Sequence, residues 1–275
     1  MSETSHPALV LVPHGSRDPR ALETARALAR LVRSRRPGLD VRLGHVELNE
    51  PLLADTLRDL GGRPAVLVPL LLSRGYHVKH DIPATVAAVG APRIRIAPPL
   101  GPHPLLVRAL HERLTEAGWP AAPAGTGAPA APAAPAAPAG TAAASAEPSA
   151  RRAVVLAASG SRDPDGAVDI RRTAAALAAR LGVPVVPAYA SAAPTVAEAV
   201  RSLAARGRTE VAVASYFTAP GRFHTETAEA APWIAAAPLG AHPDMARLVL
   251  HRYDGAAAGP AGLPDPAARP ALVPA

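Results

Sequence analysis

The first apolar run, Ala8-Leu-Val-Leu-Val-Pro13, is continuous and stops at His14-Gly15-Ser16. A short unbroken run bounded by turn residues predicts a strand buried on both faces. After Asp18-Pro19, the residues Leu22, Ala25, Leu28, Ala29 and Val32 recur at helical spacing. Residues 20–36 are therefore predicted as an amphipathic helix with proline near its first position. The alternation continues with strands over 41–46, 65–72 and 93–97 and helices over 51–60, 81–89 and 104–117. Strands alternating with helices predict an α/β fold, a four-stranded parallel sheet flanked by helices. In such open sheets ligands bind beyond the carboxyl ends of the strands, so polar residues at those ends become the candidates for chemistry.

The same pattern returns later in the chain. Ala8 to Pro19 matches Ala153 to Pro164, with Gly-Ser-Arg-Asp-Pro in both copies. Ser73-Arg-Gly-Tyr-His77 matches Ala219-Pro-Gly-Arg-Phe-His224 with one residue inserted, and Pro99-Leu-Gly-Pro-His-Pro104 matches Pro238-Leu-Gly-Ala-His-Pro243. Three matches in one order establish an internal duplication, with too few copies for a solenoid. The copies differ where chemistry is possible. His14 becomes Ser159, Glu47-Leu-Asn-Glu50 becomes Tyr189-Ala-Ser-Ala192, and Lys79-His80-Asp81 becomes Glu226-Thr227-Ala228. His224 and His242 remain. This predicts one active half and one structural half, with the active cleft between them. The shared Gly-Ser-Arg-Asp-Pro string is read as partly architectural, a tight turn and a helix start.

Composition divides the chain. Of 33 prolines, seven lie in the Ala/Pro-rich stretch 119–150 and five in 255–275. Such segments bury too little surface to offset their ordering entropy and predict a disordered linker and tail. The expected organisation is a catalytic domain over 1–118, a linker over 119–150, a degenerate second domain over 151–254 and a tail over 255–275. Cysteine is absent, which excludes disulfides, thiolate nucleophiles, zinc–thiolate sites and iron–sulfur clusters. No apolar run reaches the roughly 18 residues of a membrane span, and the N-terminus has no signal-peptide pattern. A cytoplasmic protein is therefore expected. The net charge of +7 falls mostly on arginines spaced among Ala and Leu as solvated helix faces. It carries no basic stripe with interleaved aromatics, and it suits an anionic small molecule better than nucleic acid.

The strand-end residues of the first copy are concentrated. His14 follows the first strand, Glu47 and Glu50 the second, Ser73 to Asp81 the third and His103 the fourth. Each has a bland reading as a loop, turn or helix-start residue. Jointly, two imidazoles and a carboxylate at neighbouring strand ends make a labile, thiolate-free site that binds first-row metals and accepts protons.

His14-Gly-Ser-Arg17, Val46-Glu-Leu-Asn-Glu-Pro51 and Pro69-Leu-Leu-Leu-Ser-Arg-Gly-Tyr-His-Val-Lys-His-Asp-Ile-Pro83 together resemble the class II chelatases of tetrapyrrole synthesis. Within them the similarity is to the sirohydrochlorin cobaltochelatase and ferrochelatase group in its long, duplicated form. It covers most of both copies and none of the linker or tail. The resemblance implies insertion of a divalent metal, Fe²⁺ for siroheme or Co²⁺ for cobalamin, into sirohydrochlorin without ATP and with no cofactor beyond that substrate metal. It places the functional histidines on His14 and His77 and the metal-contacting carboxylate on Glu47, all three as catalytic residues and metal ligands; His80 is not carried over. Ser16, Arg17, Arg74, Gly75, Tyr76 and Lys79 are the substrate-binding candidates. The three cations would pair with substrate carboxylates, with a surface or capping role as the competing reading.

The partners so implied are sirohydrochlorin, an anionic tetrapyrrole, and a divalent metal, with no nucleic acid and no membrane, in a monomer or homodimer. Two other functions compete: a non-catalytic tetrapyrrole or metal carrier (a degenerate chelatase scaffold), and a histidine phosphatase. The second rests on Leu-Val-Pro-His-Gly-Ser, which looks superficially like the Leu-Val-Arg-His-Gly start of that class. Pro13 stands where the phosphate-binding arginine would be.

Overall fold

Each copy of the repeat builds its own all-parallel sheet in the computed structural model, which describes residues 6–120 and 148–259. The first copy runs β1 (Ala8–Val12), α1 (Pro19–Arg35), β2 (Val41–Leu43), α2 (Leu53–Asp59) and β3 (Ala65–Pro69). A π-helical turn, His77–Asp81, then leads into α3 (Ile82–Val89), β4 (Ile94–Ile96) and α4 (Pro104–Glu116). After a short α5 (Pro148–Arg151), the second copy runs β5 (Arg152–Ala158), α6 (Pro164–Leu181), β6 (Val185–Tyr189) and α7 (Val196–Ala204). It ends with β7 (Glu210–Ser215), α8 (Arg222–Glu229), β8 (Ile234–Ala235) and α9 (Pro243–Ala258). The strand orders are β2-β1-β3-β4 and β6-β5-β7-β8. In each, the chain leaves the first strand to one side and returns on the other, which opens a crevice at that switch point. Among the described residues, no helix is long and apolar enough to cross a membrane.

The expected α/β duplication is thus present, and its strand–helix alternation follows the apolar pattern. Two strands stop short of their expected ends, β2 at Leu43 and β3 at Pro69. The chain leaves the sheet there to form the loops that carry the candidate residues. Helix α2 starts at Leu53 because Pro51 and Leu52 stay extended against His45, whose N–H donates to the Pro51 carbonyl at 2.9 Å.

Strand β1 is buried on both faces, yet its residues still divide by parity. Leu9 and Leu11 face a core shared by both copies, whereas Ala8, Val10 and Val12 face an outer core with Leu57, Leu67 and Ile82. The shared core includes Val154, Leu156, Met245 and Tyr253 of the second copy. It is closed by an exchange of helices. Helix α9 packs on α1, β3 and β4 of the first copy, and α4 packs on α6 and β7 of the second. Polar bonds tie the exchanged helices down: Arg252 donates to the Leu100 carbonyl, and Tyr253 to that of Pro7 at 2.6 Å. Asp244, 2% exposed, takes a bidentate pair from Arg108 and a further bond from Arg247. Burial works against its charge, but these guanidinium bonds outweigh it and hold the carboxyl below the usual range.

The organisation read from composition needs three corrections, the first being that Pro148 to Ala150, assigned to the linker, belong to α5. Trp119, assigned to the linker, is buried in the shared core. The residues assigned to the tail from Gly255 continue α9 to Ala258. Alanine-rich sequence is helix-permissive once one face finds a partner. The rest of the expected linker, 121–147, and of the tail, 260–275, lie outside the described residues.

Helices α4 and α9 both begin at a His-Pro pair in which the histidine is the cap. His103 Nδ1 accepts from the Leu105 N–H and His242 Nδ1 from the Asp244 N–H, each at 3.1 Å. His103 is therefore a structural residue, although its place after a strand had made it a candidate. Burial, then Arg252 and His251, lower its pKa; burial and Arg26 outweigh the Pro51 carbonyl in lowering that of His45. Burial and Arg180 do the same for His111. A histidine whose folded pKa is depressed contributes its full stability above the unfolded value of about 6.5 and loses it as pH falls through the folded value. Thermal melts should therefore show Tm falling between pH 7.5 and 5.5, before the carboxylates titrate.

Candidate metal centre

The Gly-Ser-Arg-Asp-Pro string sets the first wall of the crevice. Ser16 Oγ accepts from the Asp18 N–H, and Asp18 caps α1 by accepting from the Arg20 N–H. The second copy repeats this with Ser161 and Asp163, so the architectural reading of the motif holds. Gly15 has φ +109°, and a Cβ there would lie 1.8 Å from the Glu47 carbonyl oxygen. Only glycine lets the loops after β1 and β2 touch this closely. They are joined by Val46 N–H to the Pro13 carbonyl and Glu47 N–H to that of His14, both at 3.0 Å. Asn49 Oδ1 accepts from the Ser16 N–H at 2.7 Å, and Leu48 between them takes a left-handed φ of +66°.

The third wall is the π-helical turn after β3. Its wider winding places His77 and Asp81 on one face, and His77 Nδ1 meets Asp81 Oδ2 at 2.5 Å. His14 Nε2 lies 2.9 Å from His77 Nε2 and 3.6 Å from Glu47 Oε1. His14 therefore stands between the other two residues that the resemblance singled out, facing His77 and near Glu47. Their outer partners decide what they present. The Gly15 carbonyl, 3.2 Å from His14 Nδ1, can only accept, and Asp81 Oδ2 lies beside His77 Nδ1. With an N–H on each Nδ1, the two Nε2 lone pairs would face each other. That arrangement is stable only with a proton or a cation between them. Two imidazole nitrogens on one tetrahedral ion lie about 3.3 Å apart, so a metal needs only a small separation of the rings.

Asp81 was passed over in the sequence reading. Outer partners of this kind typically govern metal affinity by about 10–100-fold. Asp81→Ala should weaken Co²⁺ binding by that order in an equilibrium titration, whereas Asp81→Asn, which keeps an acceptor, should recover much of it.

The centre sits in a cavity of about 1050 Å³ between the two copies. This is at the upper end of small-molecule sites, which run to about 1,000 Å³. Of the substrate-binding candidates, Ser16, Arg17, Gly75 and Tyr76 line it, and Leu22, Leu28, Ile170 and Phe217 give it an apolar floor. Arg74 and Lys79 do not line it; they are engaged by aspartates of the second copy, which contradicts their reading as free partners for carboxylates. Arg222 does line it, an exposed cation that the sequence reading missed. Its signal was available, because it follows Gly221 as Tyr76 follows Gly75. His80 stacks on Tyr76 outside the cavity, and Glu50 accepts from the Leu52 N–H as a loop cap.

The hydrogen bonds also refine the match between copies. Ser191 N–H donates to the Ser159 carbonyl as Glu47 does to His14, so Ser191 is the counterpart of Glu47, and Tyr189 that of His45. Thr225 N–H bonds Gly221 as Lys79 bonds Gly75, which puts Phe223 at the position of His77 and His224 one residue beyond. All three metal-handling positions are thus changed in the second copy. His224 still lines the cavity; His242 does not, being buried against Glu112. Glu112, His242 and Asp244 bring three possible ligand atoms close together, but Asp244 is already engaged by two arginines.

The CbiX family model matches residues 8–117 and 153–256. The sirohydrochlorin cobaltochelatase of Methanococcus maripaludis is 35% identical over 79 residues, 28% of this chain and 55% of that protein. That of Sulfurisphaera tokodaii is 32% identical over 112 residues, 39% of this chain and 91% of that protein. The sirohydrochlorin ferrochelatase of Bacillus subtilis is 30% identical over 120 residues, 41% of this chain and 46% of that protein. The match thus spans about half of the first and last of these relatives. Among solved structures, SirB from Bacillus subtilis with Fe³⁺ superposes with a TM-score of 0.68 at 23% identity, covering 92% of this chain and 96% of that one. CbiX, described as the terminal enzyme for biosynthesis of siroheme in denitrifying bacteria, gives a TM-score of 0.62 at 21% identity, covering 90% and 99%. At these identities the structural likeness is one of fold.

Proposed function

The chain belongs to the CbiX family, and on that premise we propose that it is a sirohydrochlorin chelatase that inserts Fe²⁺ or Co²⁺ without ATP. One observation carries the reading: the Nε2 atoms of His14 and His77 face each other at 2.9 Å in the lining of a large cavity, with Glu47 Oε1 3.6 Å from His14. The substrate metal is held there by His14, His77 and Glu47. The macrocycle enters with two pyrrole N–H groups. Two metal–nitrogen bonds form as these N–H bonds break, and two protons leave. The imidazoles, released from the ion, are then the nearest bases, which gives each one a use before and after transfer. Arg17 and Arg222, exposed at the cavity rim, are placed to pair with substrate carboxylates.

Two imidazoles and a carboxylate suit both iron and cobalt, and the named relatives include both cobaltochelatases and a ferrochelatase. The proposal includes a cytoplasmic setting and no organic cofactor. Its test is metal insertion into purified sirohydrochlorin followed by absorbance, with Co²⁺ and with Fe²⁺ under anaerobic conditions. A rate above the spontaneous one is expected with at least one metal. Binding of metal and tetrapyrrole without turnover would make the protein a carrier, and no rate with either ion would overturn the enzyme reading.

A further inference from the structure

Resting on that reading, we propose that Asp163, Asp165 and Asp169 of the second copy are positioning residues for the metal-binding segment of the first. They grip Arg74 and Lys79, which stand on either side of His77, and so hold its ring towards His14. The second copy is then the holder of the metal loop as well as a wall of the cavity.

The contacts are dense and directional. Asp169, 1% exposed, accepts from the Arg74 backbone N–H at 3.0 Å and from its Nε and Nη2 at 3.0 and 2.7 Å. Asp165 lies 3.6 Å from Arg74 Nη1. Lys79 Nζ reaches Asp163 at 2.7 Å and Asp165 at 2.9 Å. Backbone is brought close as well: a Cβ on Gly166 would lie 2.7 Å from the Arg74 carbonyl oxygen. A planar guanidinium held bidentately, together with its own N–H, fixes the chain direction at residue 74. The lysine fixes it again two residues after His77.

Pseudo-symmetry supplies the control within the molecule. The counterparts of Asp163, Asp165 and Asp169 in the first copy are Asp18, Arg20 and Thr24. Those of Arg74 and Lys79 in the second are Pro220 and Thr225. The opposite corner therefore has neither the cations nor the full set of acids, and Asp18 pairs with Arg20 inside its own turn. An interface built only to join two copies gains nothing from this asymmetry. It follows instead the asymmetry of the metal-handling residues, with the grip present only where a histidine must be aimed.

The test compares Asp163→Asn/Asp165→Asn, Lys79→Met and their combination with Asp254→Asn. The last removes a remote ion pair between the copies, Arg36 with Asp254. Readouts are the Co²⁺ dissociation constant of the full chain, insertion kcat and Tm. The two clamp variants should each weaken Co²⁺ binding about fivefold, the worth of a well-formed ion pair. The combined variant should be no worse than Asp163→Asn/Asp165→Asn, which already removes the Lys79 contacts together with that of Asp165 to Arg74. Asp254→Asn should leave Co²⁺ affinity unchanged even where Tm falls. Unaltered affinity in the clamp variants, additive losses, or an equal loss in Asp254→Asn overturns the clamp while leaving the chelatase reading intact. A wild-type chain that neither binds Co²⁺ nor inserts it overturns the functional reading, and the clamp with it.

Discussion

His14→Ala and His77→Ala each lower metal insertion by about 10²–10⁴-fold, the range lost with a general base, while His224→Ala stays near wild type. The first two residues face each other at 2.9 Å between their Nε2 atoms, so removing either leaves one imidazole without its partner. Neither is part of a packed core, since both are only half buried, and the fold should survive with little change in Tm. His224 shares the cavity but sits one residue out of register with His77, its ring edge-on to Phe217. Equal loss in all three variants would mean a centre shared between the copies.

Gly15→Ala has the largest expected effect on both structure and activity. The new methyl group meets the Glu47 carbonyl oxygen at 1.8 Å, in a backbone conformation that L-residues rarely adopt. The loop after β2 must move away, and it takes Glu47 and Asn49 with it. A destabilisation of about 3 kcal/mol or more is expected, since a left-handed φ and a backbone clash add, together with loss of insertion. The duplication provides the comparison. Gly160 has φ +93°, but a Cβ there meets the end of the Ser191 side chain at 2.8 Å, which can rotate away. Gly160→Ala should cost less and spare activity. Chemical denaturation of the two variants side by side tests the difference.

What was legible in the sequence divides along physical lines. The run 8–13 and the helical spacing from Leu22 to Val32 are local signals, and β1 and α1 follow them closely. His14 and the loops after β2 and β3 were legible because strand ends of a parallel sheet meet at one edge, whereas the choice of Glu47 and His77 within those loops came from the resemblance. Asp81 was not, because a helix expected to begin at 81 leaves out the π-helical turn that joins it to His77. Arg74 and Lys79 looked free for substrate because a charge carries no mark of its partner, and Asp169 lies 95 residues away from Arg74. The exchange of α4 and α9 was equally hidden. An apolar helix face reads the same whichever sheet it covers, and only the tertiary structure distinguishes them.

One working centre is expected in a chain built from two copies. Equilibrium titration of the full chain with Co²⁺, counting bound metal per chain, tests this most directly. One ion per chain is predicted, because Ser159, Ser191 and Phe223 stand in the second copy where His14, Glu47 and His77 stand in the first. Two ions of equal affinity, or none, would contradict it.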